Sequence, residues 1–166
     1  MFFTGEDFMI IGIMADSHDN LNLLERVLDV FNNYKAGYVL HCGDYIAPFT
    51  SRVLGRLKVP FFGVFGNNDG EKNGLVKMFS NIGPIVNQPG EIIISDKKFI
   101  LFHEPRDNYD GYNTDIICFG HTHTPLIEEI DNKLIINPGE CGGWVSGKPS
   151  VAVFDTIKNI AEVVYL

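Results

Sequence analysis

Residues 9–18 read MIIGIMADSH, an apolar run that ends on Asp16, Ser17 and His18. A short apolar run followed by turn-forming residues is typical of a strand buried on both faces. Because such strands carry their polar residues at the ends, this stretch predicts a buried strand with a carboxylate and an imidazole at its carboxyl end.

The residues after this strand have helical periodicity. Asn22 and Glu25 resemble a capping box at the start of a helix. The apolar positions at helical spacing are Leu24, Val27, Leu28 and Phe31. The pattern then repeats, with a strand at residues 38–42, a helix at 48–57 opened by its proline, and a strand at 60–65. This alternation predicts an α/β unit with a parallel sheet.

After a short helical candidate at residues 74–79, the second half of the chain is mostly strand-like. The runs are residues 91–95, 98–102, 116–119, 126–130, 133–136, 150–154 and 161–165. Asp96-Lys97 and Asp131-Asn132 are predicted hairpin turns, and residues 137–140 (NPGE) fit a type II turn. The sequence shows no repeat or linker, so residues 9–166 are predicted to form one domain.

Polar residues able to bind a metal follow five of these apolar runs. They are Asp16 and His18, Asp44, Asn67 to Asp69, His103, and His121 with His123. Because open α/β sheets place their sites at the carboxyl ends of strands, we expect these groups to converge on one rim.

Each of these signals has an ordinary structural explanation when it stands alone. Asp16 and Asp44 could cap the helices that follow them, and His103 could be a hydrogen-bonded histidine at a strand end. His41 lies within a strand, so a core position or a contact behind the ligands is favoured over metal binding. Cys141 and Trp144 lie in a glycine-rich loop and are predicted to pack.

Composition indicates which classes of partner and which cellular compartment are expected. The net charge of -8 argues against general nucleic-acid binding, because a long polyanion would be repelled. The three cysteines are an odd number, which favours a reducing cytoplasm without a disulfide framework. Residues 1–8 lack the features of a signal peptide and are interpreted as a tail or an alternative start. Charged residues, glycine or proline interrupt every apolar run, so no membrane span is predicted.

Taken in order, the five motifs resemble the calcineurin-like metallophosphoesterase superfamily, in its small phosphodiesterase branch without a cap domain. The motifs are D-x-H at 16–18, GD at 43–44, GN-x-D at 66–69, a strand-end histidine at 103, and GHTH at 120–123. The resemblance implies two mixed β-sheets in a sandwich flanked by helices, with the metal site at the carboxyl ends of the strands.

The resemblance also implies a ligand set for two divalent cations. One would be held by Asp16, His18, Asp44 and His123, and the other by Asp44, Asn67, His103 and His121, so that Asp44 bridges. Oxygen and imidazole ligands suit Mn, Fe, Zn, Ni or Co, with Mn or Ni favoured. The implied reaction is hydrolysis of phosphate esters, with phosphodiesters preferred, by a metal-bound hydroxide. The residues implied in catalysis are Asp44, Asn67, Asn68 and His103.

One departure from the family concerns the leaving group. Many relatives have histidine in the third motif where this chain has Asn68, so a general acid is missing. Asp69, which would orient such a histidine, is expected to lack its partner. A diester with a good leaving group does not need this acid, and this favours diesters as substrates.

Two alternatives remain open. A retromer scaffold subunit resembles the same fold and works by binding proteins, although such relatives have degraded metal motifs. A phosphomonoesterase is the second alternative. The expected partner is a small phosphorylated substrate. A homo-oligomer is compatible with the sequence, which does not fix the physiological substrate.

Overall fold

The computed structural model describes residues 9–166, so the predicted tail at residues 1–8 lies outside the described residues. The first half alternates strands and helices: β1 (Ile10–Met14), α1 (Leu21–Asn33), β2 (Ala36–His41), a 3-10 helix (Pro48–Thr50), α2 (Ser51–Leu54), β3 (Phe61–Val64), α3 (Lys72–Phe79) and β4 (Ile85–Val86). The second half contains β5 (Gly90–Ile94), β6 (Lys97–Leu101), β7 (Ile116–Cys118), β8 (Leu126–Ile130), β9 (Lys133–Asn137), β10 (Ser150–Asp155) and β11 (Ile160–Tyr165).

The strands form two mixed sheets. The first has the order β11-β10-β1-β2-β3-β4, in which β1 to β4 are parallel and β10 and β11 are antiparallel. The second has the order β5-β6-β7-β9-β8, with a parallel centre and antiparallel edges. The carboxyl ends of β1, β2 and β3 in one sheet, and of β6 and β7 in the other, carry the predicted ligands.

Apolar side chains pack in three layers. Between the sheets, Ile13 and Leu40 of the first meet Phe99 and Ile116 of the second. The helices pack on the outer face of the first sheet through residues such as Phe31. Tyrosines 109 and 112 pack on the outer face of the second sheet, so the predicted flanking helices lie on one side only.

The start of α1 corrects the predicted capping box. The helix is capped by Asn20, whose side chain accepts a hydrogen bond from the Leu23 N–H, and Asn22 lies within the first turn. The Asn20 amide also donates to the carbonyl of Gly142 at 2.8 Å. Asn20 is therefore favoured at this position because one side chain serves both the helix and a distant loop.

Two other local predictions change in detail. The helix predicted at residues 48–57 is a 3-10 turn followed by only one turn of α-helix, ending at Leu54. The first hairpin turn is Ser95-Asp96 rather than Asp96-Lys97, because both central residues of this tight turn need positive φ, and Lys97 already pairs with Ile94. The turn at Asp131-Asn132 is confirmed. Strand β4 was not predicted.

Two further observations concern the cysteines and the helices. Cys42, Cys118 and Cys141 are buried free thiols, as predicted from their apolar surroundings and packing. None of the helices in residues 9–166 has the length and apolar character that a membrane span needs. The cytoplasmic location rests on the sequence alone and stays a prediction.

Candidate metal centre

Five loops meet where the two sheets present the carboxyl ends of their parallel strands. Backbone hydrogen bonds join them, from the Asp16 N–H to the Gly43 carbonyl and from the Gly120 N–H to the His103 carbonyl, both at 3.0 Å. The structure brings all the predicted ligands to this rim, namely Asp16, His18, Asp44, Asn67, His103, His121 and His123.

One group surrounds the Asp16 carboxylate. Its Oδ1 lies 3.7 Å from His18 Nε2 and 3.5 Å from His123 Nε2. Asp16 Oδ1 and His18 Nε2 are buried, and neither finds a hydrogen-bond partner within residues 9–166. Buried polar atoms normally have partners, so two of them facing each other fit a cation between them.

A second group surrounds His103. Its Nε2 lies 2.7 Å from Asn67 Oδ1 and 3.3 Å from His121 Nδ1, and Asn67 Oδ1 also lies 3.0 Å from His121 Nδ1. The other ring nitrogen of His103 is 2.8 Å from the Cys42 carbonyl, so it carries a proton and donates. In the neutral form of the ring, Nε2 of His103 then carries the lone pair, and this atom faces the rim.

Asp44 lies between the two groups. Its Oδ2 is 3.6 Å from His18 Nε2, and its Oδ1 is 3.5 Å from His103 Nε2. The carboxylate is almost fully buried. One side chain therefore faces the histidines of both groups with different oxygens.

The Asp16 and Asp44 carboxylates do not cap helices. Asn20 caps α1, and the 3-10 helix after Asp44 has no side-chain cap. Asp16 Oδ2 instead accepts a hydrogen bond from the His121 N–H at 2.9 Å. The capping explanation for both residues is therefore wrong.

The backbone at this rim is strained at several of the candidate ligands, and this strain sets the direction of their side chains. Positive φ angles are found at Asp16 (53°), His18 (42°), Asp44 (62°), His121 (66°) and His123 (58°). Non-glycine residues in the left-handed region are uncommon and cluster at functional sites. Hydrogen bonds between the loops hold these conformations, such as that from the His18 N–H to the Asp44 carbonyl.

Asn68 and Asp69 both form hydrogen bonds with the Asp44 loop. The backbone N–H and side-chain amide of Asn68 donate to the two Asp44 carboxylate oxygens at 2.9 and 2.7 Å. The buried Asp69 carboxylate accepts from the N–H groups of Asp44, Ile46 and Gly66. Asp69 has no neighbouring histidine to orient, as expected, and the backbone N–H groups of two loops occupy both of its oxygens instead.

Local charges shift several pKa values. The Asp16 carboxylate beside the ring holds the pKa of His18 above its ordinary value, against the effect of burial, and Asp44 adds to the rise. Burial raises the pKa of Asp69, although its backbone hydrogen bonds oppose the change. Asp16 and Asp44 therefore make a negative environment that attracts positive charge.

Sequence reasoning missed Glu140. This carboxylate is buried, and its Oε1 lies 3.4 Å from His123 Nδ1. Burial would raise the pKa of Glu140, but the backbone N–H groups of Ser146 and Val145 outweigh it and lower the pKa, with help from His123. Its position as the last residue of the predicted turn at residues 137–140, in which Gly139 takes the positive φ of 81°, was the available signal.

His41 and Trp144 have contrasting surroundings. His41 is buried and stacks on Tyr45, with Nε2 3.2 Å from Ser17 Oγ and Nδ1 accepting from the Gly43 N–H. Burial, followed by the nearby His103 and His18, holds its pKa well below the ordinary value. His41 thus lies behind the ligands, while Trp144 corrects the packing prediction because its side chain is largely exposed.

Comparisons with known proteins identify the family of this chain. A model of the calcineurin-like phosphoesterase superfamily domain matches residues 9–159. A phosphodiesterase from Methanocaldococcus jannaschii is 34% identical over 158 residues, covering 91% of this chain and 95% of that protein. The solved structure of an archaeal phosphodiesterase is 32% identical with a TM-score of 0.90, and the match covers 95% of this chain and 100% of that one.

A Vps29 mutant from Entamoeba histolytica has the same fold at 20% identity and a TM-score of 0.66, over 95% of this chain and 99% of that one. At this identity the likeness extends to the fold alone. The match to the archaeal phosphodiesterase confirms the predicted fold class. The chain belongs to the calcineurin-like phosphoesterase superfamily and is a metal-dependent phosphoester hydrolase.

Proposed function

We propose that this protein hydrolyses phosphodiesters at a centre of two divalent cations. The observation that carries the proposal is the position of Asp44, whose two oxygens face His18 and His103 at 3.6 and 3.5 Å. A carboxylate shared in this way is the usual means of keeping two cations roughly 3.5–4 Å apart.

The proposed ligands divide into two sets around Asp44. Asp16, His18, Asp44 and His123 would hold one cation, and Asp44, Asn67, His103 and His121 would hold the other. Carboxylate, amide and imidazole donors favour Mn, Fe, Zn, Ni or Co, with Mn or Ni preferred. Cys42 lies behind this rim with its side chain buried between the sheets, so thiolate binding is not part of the proposal.

When bound, the cations would lower the pKa of a water molecule and polarise the phosphoryl oxygens. The chain would fix their positions through Asp44 and hold the imidazoles in the correct tautomer, as the Cys42 carbonyl does for His103. Asp16 and Asp44 would offset only half the charge of two divalent cations. The remaining positive charge would attract a small phosphate despite the net charge of -8.

The preference for diesters rests on Asn68. Its amide lies 2.7 Å from the Asp44 carboxylate, at the rim where a leaving group would depart. An amide donates a hydrogen bond but does not transfer a proton near neutral pH. Diesters with stable leaving groups are therefore favoured over alkyl monoesters. The phosphodiesterase relatives support the same substrate class.

The second candidate is a protein-binding scaffold, which the likeness in fold to Vps29 leaves open. All the ligand positions are filled in this chain, which argues for hydrolysis. A panel of mono- and diesters should be assayed on metal-stripped protein refilled with one metal at a time. We expect aryl diesters to be turned over fastest. Absence of turnover with every metal would favour the scaffold, and faster monoester turnover would favour a phosphomonoesterase.

The substitution Asn68→His is expected to raise turnover of an alkyl phosphomonoester by about 10-fold or more, because general acid catalysis typically contributes 10²–10⁴-fold. The gain should be smaller for an aryl diester. The measurement is kcat/KM for both substrates, with metal content determined in each protein.

Asn68→Gln is the matched control, since it changes the size of the side chain but adds no proton donor. Equal gains for the two substrates would contradict leaving-group protonation. Asp69→Asn is unsuitable for this purpose, because Asp69 holds the backbone of Asp44 and Gly66.

Glu140→Gln is expected to weaken binding of the cation beside His123 by about 10-fold, because carboxylates that orient ligating histidines typically account for 10–100-fold in affinity. A glutamine oxygen could still accept a hydrogen bond from the turn at residues 145–146. Affinity should be measured by competition with a chromogenic chelator. Glu129→Gln, at an exposed position, is the control. Equal metal affinities in the two variants would show that Glu140 does not support the cation beside His123.

The absence of general nucleic-acid binding and the oligomeric state stay predictions. Gel filtration and binding assays with a DNA oligonucleotide would test them.

A further inference from the structure

The only tryptophan in the sequence, Trp144, lies at the rim of the candidate metal centre. Its side chain is 68% exposed, yet its Nε1–H donates to the backbone carbonyl of His18 at 3.0 Å. A single exposed apolar side chain is ordinary on a protein surface. This one is unusual because it is tethered to a proposed metal ligand and leaves much of its ring open to solvent.

The loop that carries Trp144 is fixed on both sides of the ring. Before it, the Gly142 N–H donates to the Asp16 carbonyl at 2.9 Å, and the Gly142 carbonyl accepts from Asn20. A Cβ at position 142 would lie 2.8 Å from the carbonyl oxygens of Asp16 and Ser17, so only glycine permits this approach.

After the ring, Glu140 holds the chain. Its carboxylate accepts from the Val145 and Ser146 N–H groups at 3.0 and 2.7 Å, and the same carboxylate faces His123. The loop is therefore hydrogen-bonded to the Asp16–His18 segment, and its Glu140 carboxylate lies 3.4 Å from His123 of the GHTH segment. An aromatic ring held in this way loses little conformational freedom when a ligand stacks on it.

We propose that Trp144 binds a planar aromatic group carried by the phosphoester, either a nucleobase or an aryl ring, while the phosphate lies at the cations. This inference rests on the proposed function and names its substrate class. An open indole face stacks on any flat π-system. The net charge of -8 disfavours a long polyanion, so the substrate is a small ester with one such ring.

Binding of product-like phosphates tests the proposal on metal-loaded protein. The four probes are thymidine monophosphate, phenyl phosphate, deoxyribose phosphate and methyl phosphate, each measured as a competitive inhibitor of bis(p-nitrophenyl) phosphate hydrolysis. Trp144→Ala should raise the inhibition constants of the two ring-bearing probes by about 10-fold, within the range found for removal of a stacking aromatic residue. The two ring-free probes should change by less than about 2-fold, since their phosphates use the cations alone.

In Trp144→Phe, the inhibition constants of the ring-bearing probes should stay within about 3-fold of the wild-type values, because a phenyl face still stacks.

Ile157→Ala is the matched control. Ile157 is 62% exposed and follows Asp155, which pairs with Ile10 at the opposite end of β1 from Asp16. A larger loss for thymidine monophosphate than for phenyl phosphate would identify a nucleobase as the group bound, and the reverse would identify an aryl ring.

Fluorescence provides a readout that does not depend on turnover. Because Trp144 is the only tryptophan, thymidine monophosphate should quench the emission, and deoxyribose phosphate should leave it nearly unchanged. Equal effects of Trp144→Ala on ring-bearing and ring-free probes would overturn the proposal. So would a change in sedimentation mass with no change in those affinities, which would make Trp144 a contact between copies.

Failure of the proposed function is a separate result. In that case no ester is hydrolysed by any refilled protein, and the inhibition assay has no signal. The fluorescence titration still tests stacking under those conditions.

Discussion

Removal of divalent cations is expected to reduce phosphodiester hydrolysis to the uncatalysed background, and Mn or Ni should restore it. Asp16 Oδ1 and His18 Nε2, which have no hydrogen-bond partner within residues 9–166, would otherwise face each other with nothing between them. The proposed reaction requires no covalent nucleophile, so it depends on the cations to activate water. The measurement is turnover of an aryl diester before chelation, after chelation and after refilling.

Elemental analysis must accompany each assay. Undiminished turnover in protein shown to be metal-free would contradict the proposed mechanism. Circular dichroism of the stripped protein provides the control for folding, because the core between the sheets is built from apolar residues such as Leu40 and Phe99 and does not depend on the cations.

Asp44→Asn is expected to lower kcat/KM for an aryl diester by about 10³-fold. A bound metal ion supplies several kcal/mol of transition-state stabilisation, and each 1.36 kcal/mol corresponds to a factor of ten in rate. The substitution removes charge from the one carboxylate that faces both His18 and His103. Metal content should fall below two ions per chain. His18→Ala, which affects one cation, should cost less.

Two controls bracket this prediction. Asp29→Asn changes the same chemical group at an exposed position of α1 and should be neutral. His41→Ala should lower stability, since His41 is buried against Tyr45, while hydrolysis persists. Near-normal turnover with two metals bound in Asp44→Asn would show that Asp44 is not the bridging ligand.

Much of the fold was predictable from local sequence. The alternation of apolar runs and helical periodicity predicted β1, α1, β2 and β3, because burial on both faces of a parallel strand leaves few polar positions within it. The same reasoning placed the ligand candidates, since a polar residue such as His103 that directly follows a buried run must lie at a strand end. Two-residue β4 carried too short a pattern to detect.

The candidate site was predictable only in its ligands. Asp69 was expected to lack the histidine it would orient, but the sequence did not indicate that its carboxylate accepts a hydrogen bond from the Asp44 N–H, 25 residues away in sequence. The cap of α1 is Asn20 rather than Asn22, because Asn20 also bonds the Gly142 loop. Sequence spacing contains no information on such backbone partners.

Residue types and their order along the chain therefore determined most of the strands, the candidate ligands and the family. Tertiary structure decided which groups support those ligands. Glu140 meets His123, and Trp144 meets His18 across 126 residues of sequence, only because the loop after β9 folds back onto the loop after β1. The physical reason is that the strand ends follow from local burial, whereas the contacts between loops depend on how the two sheets pack.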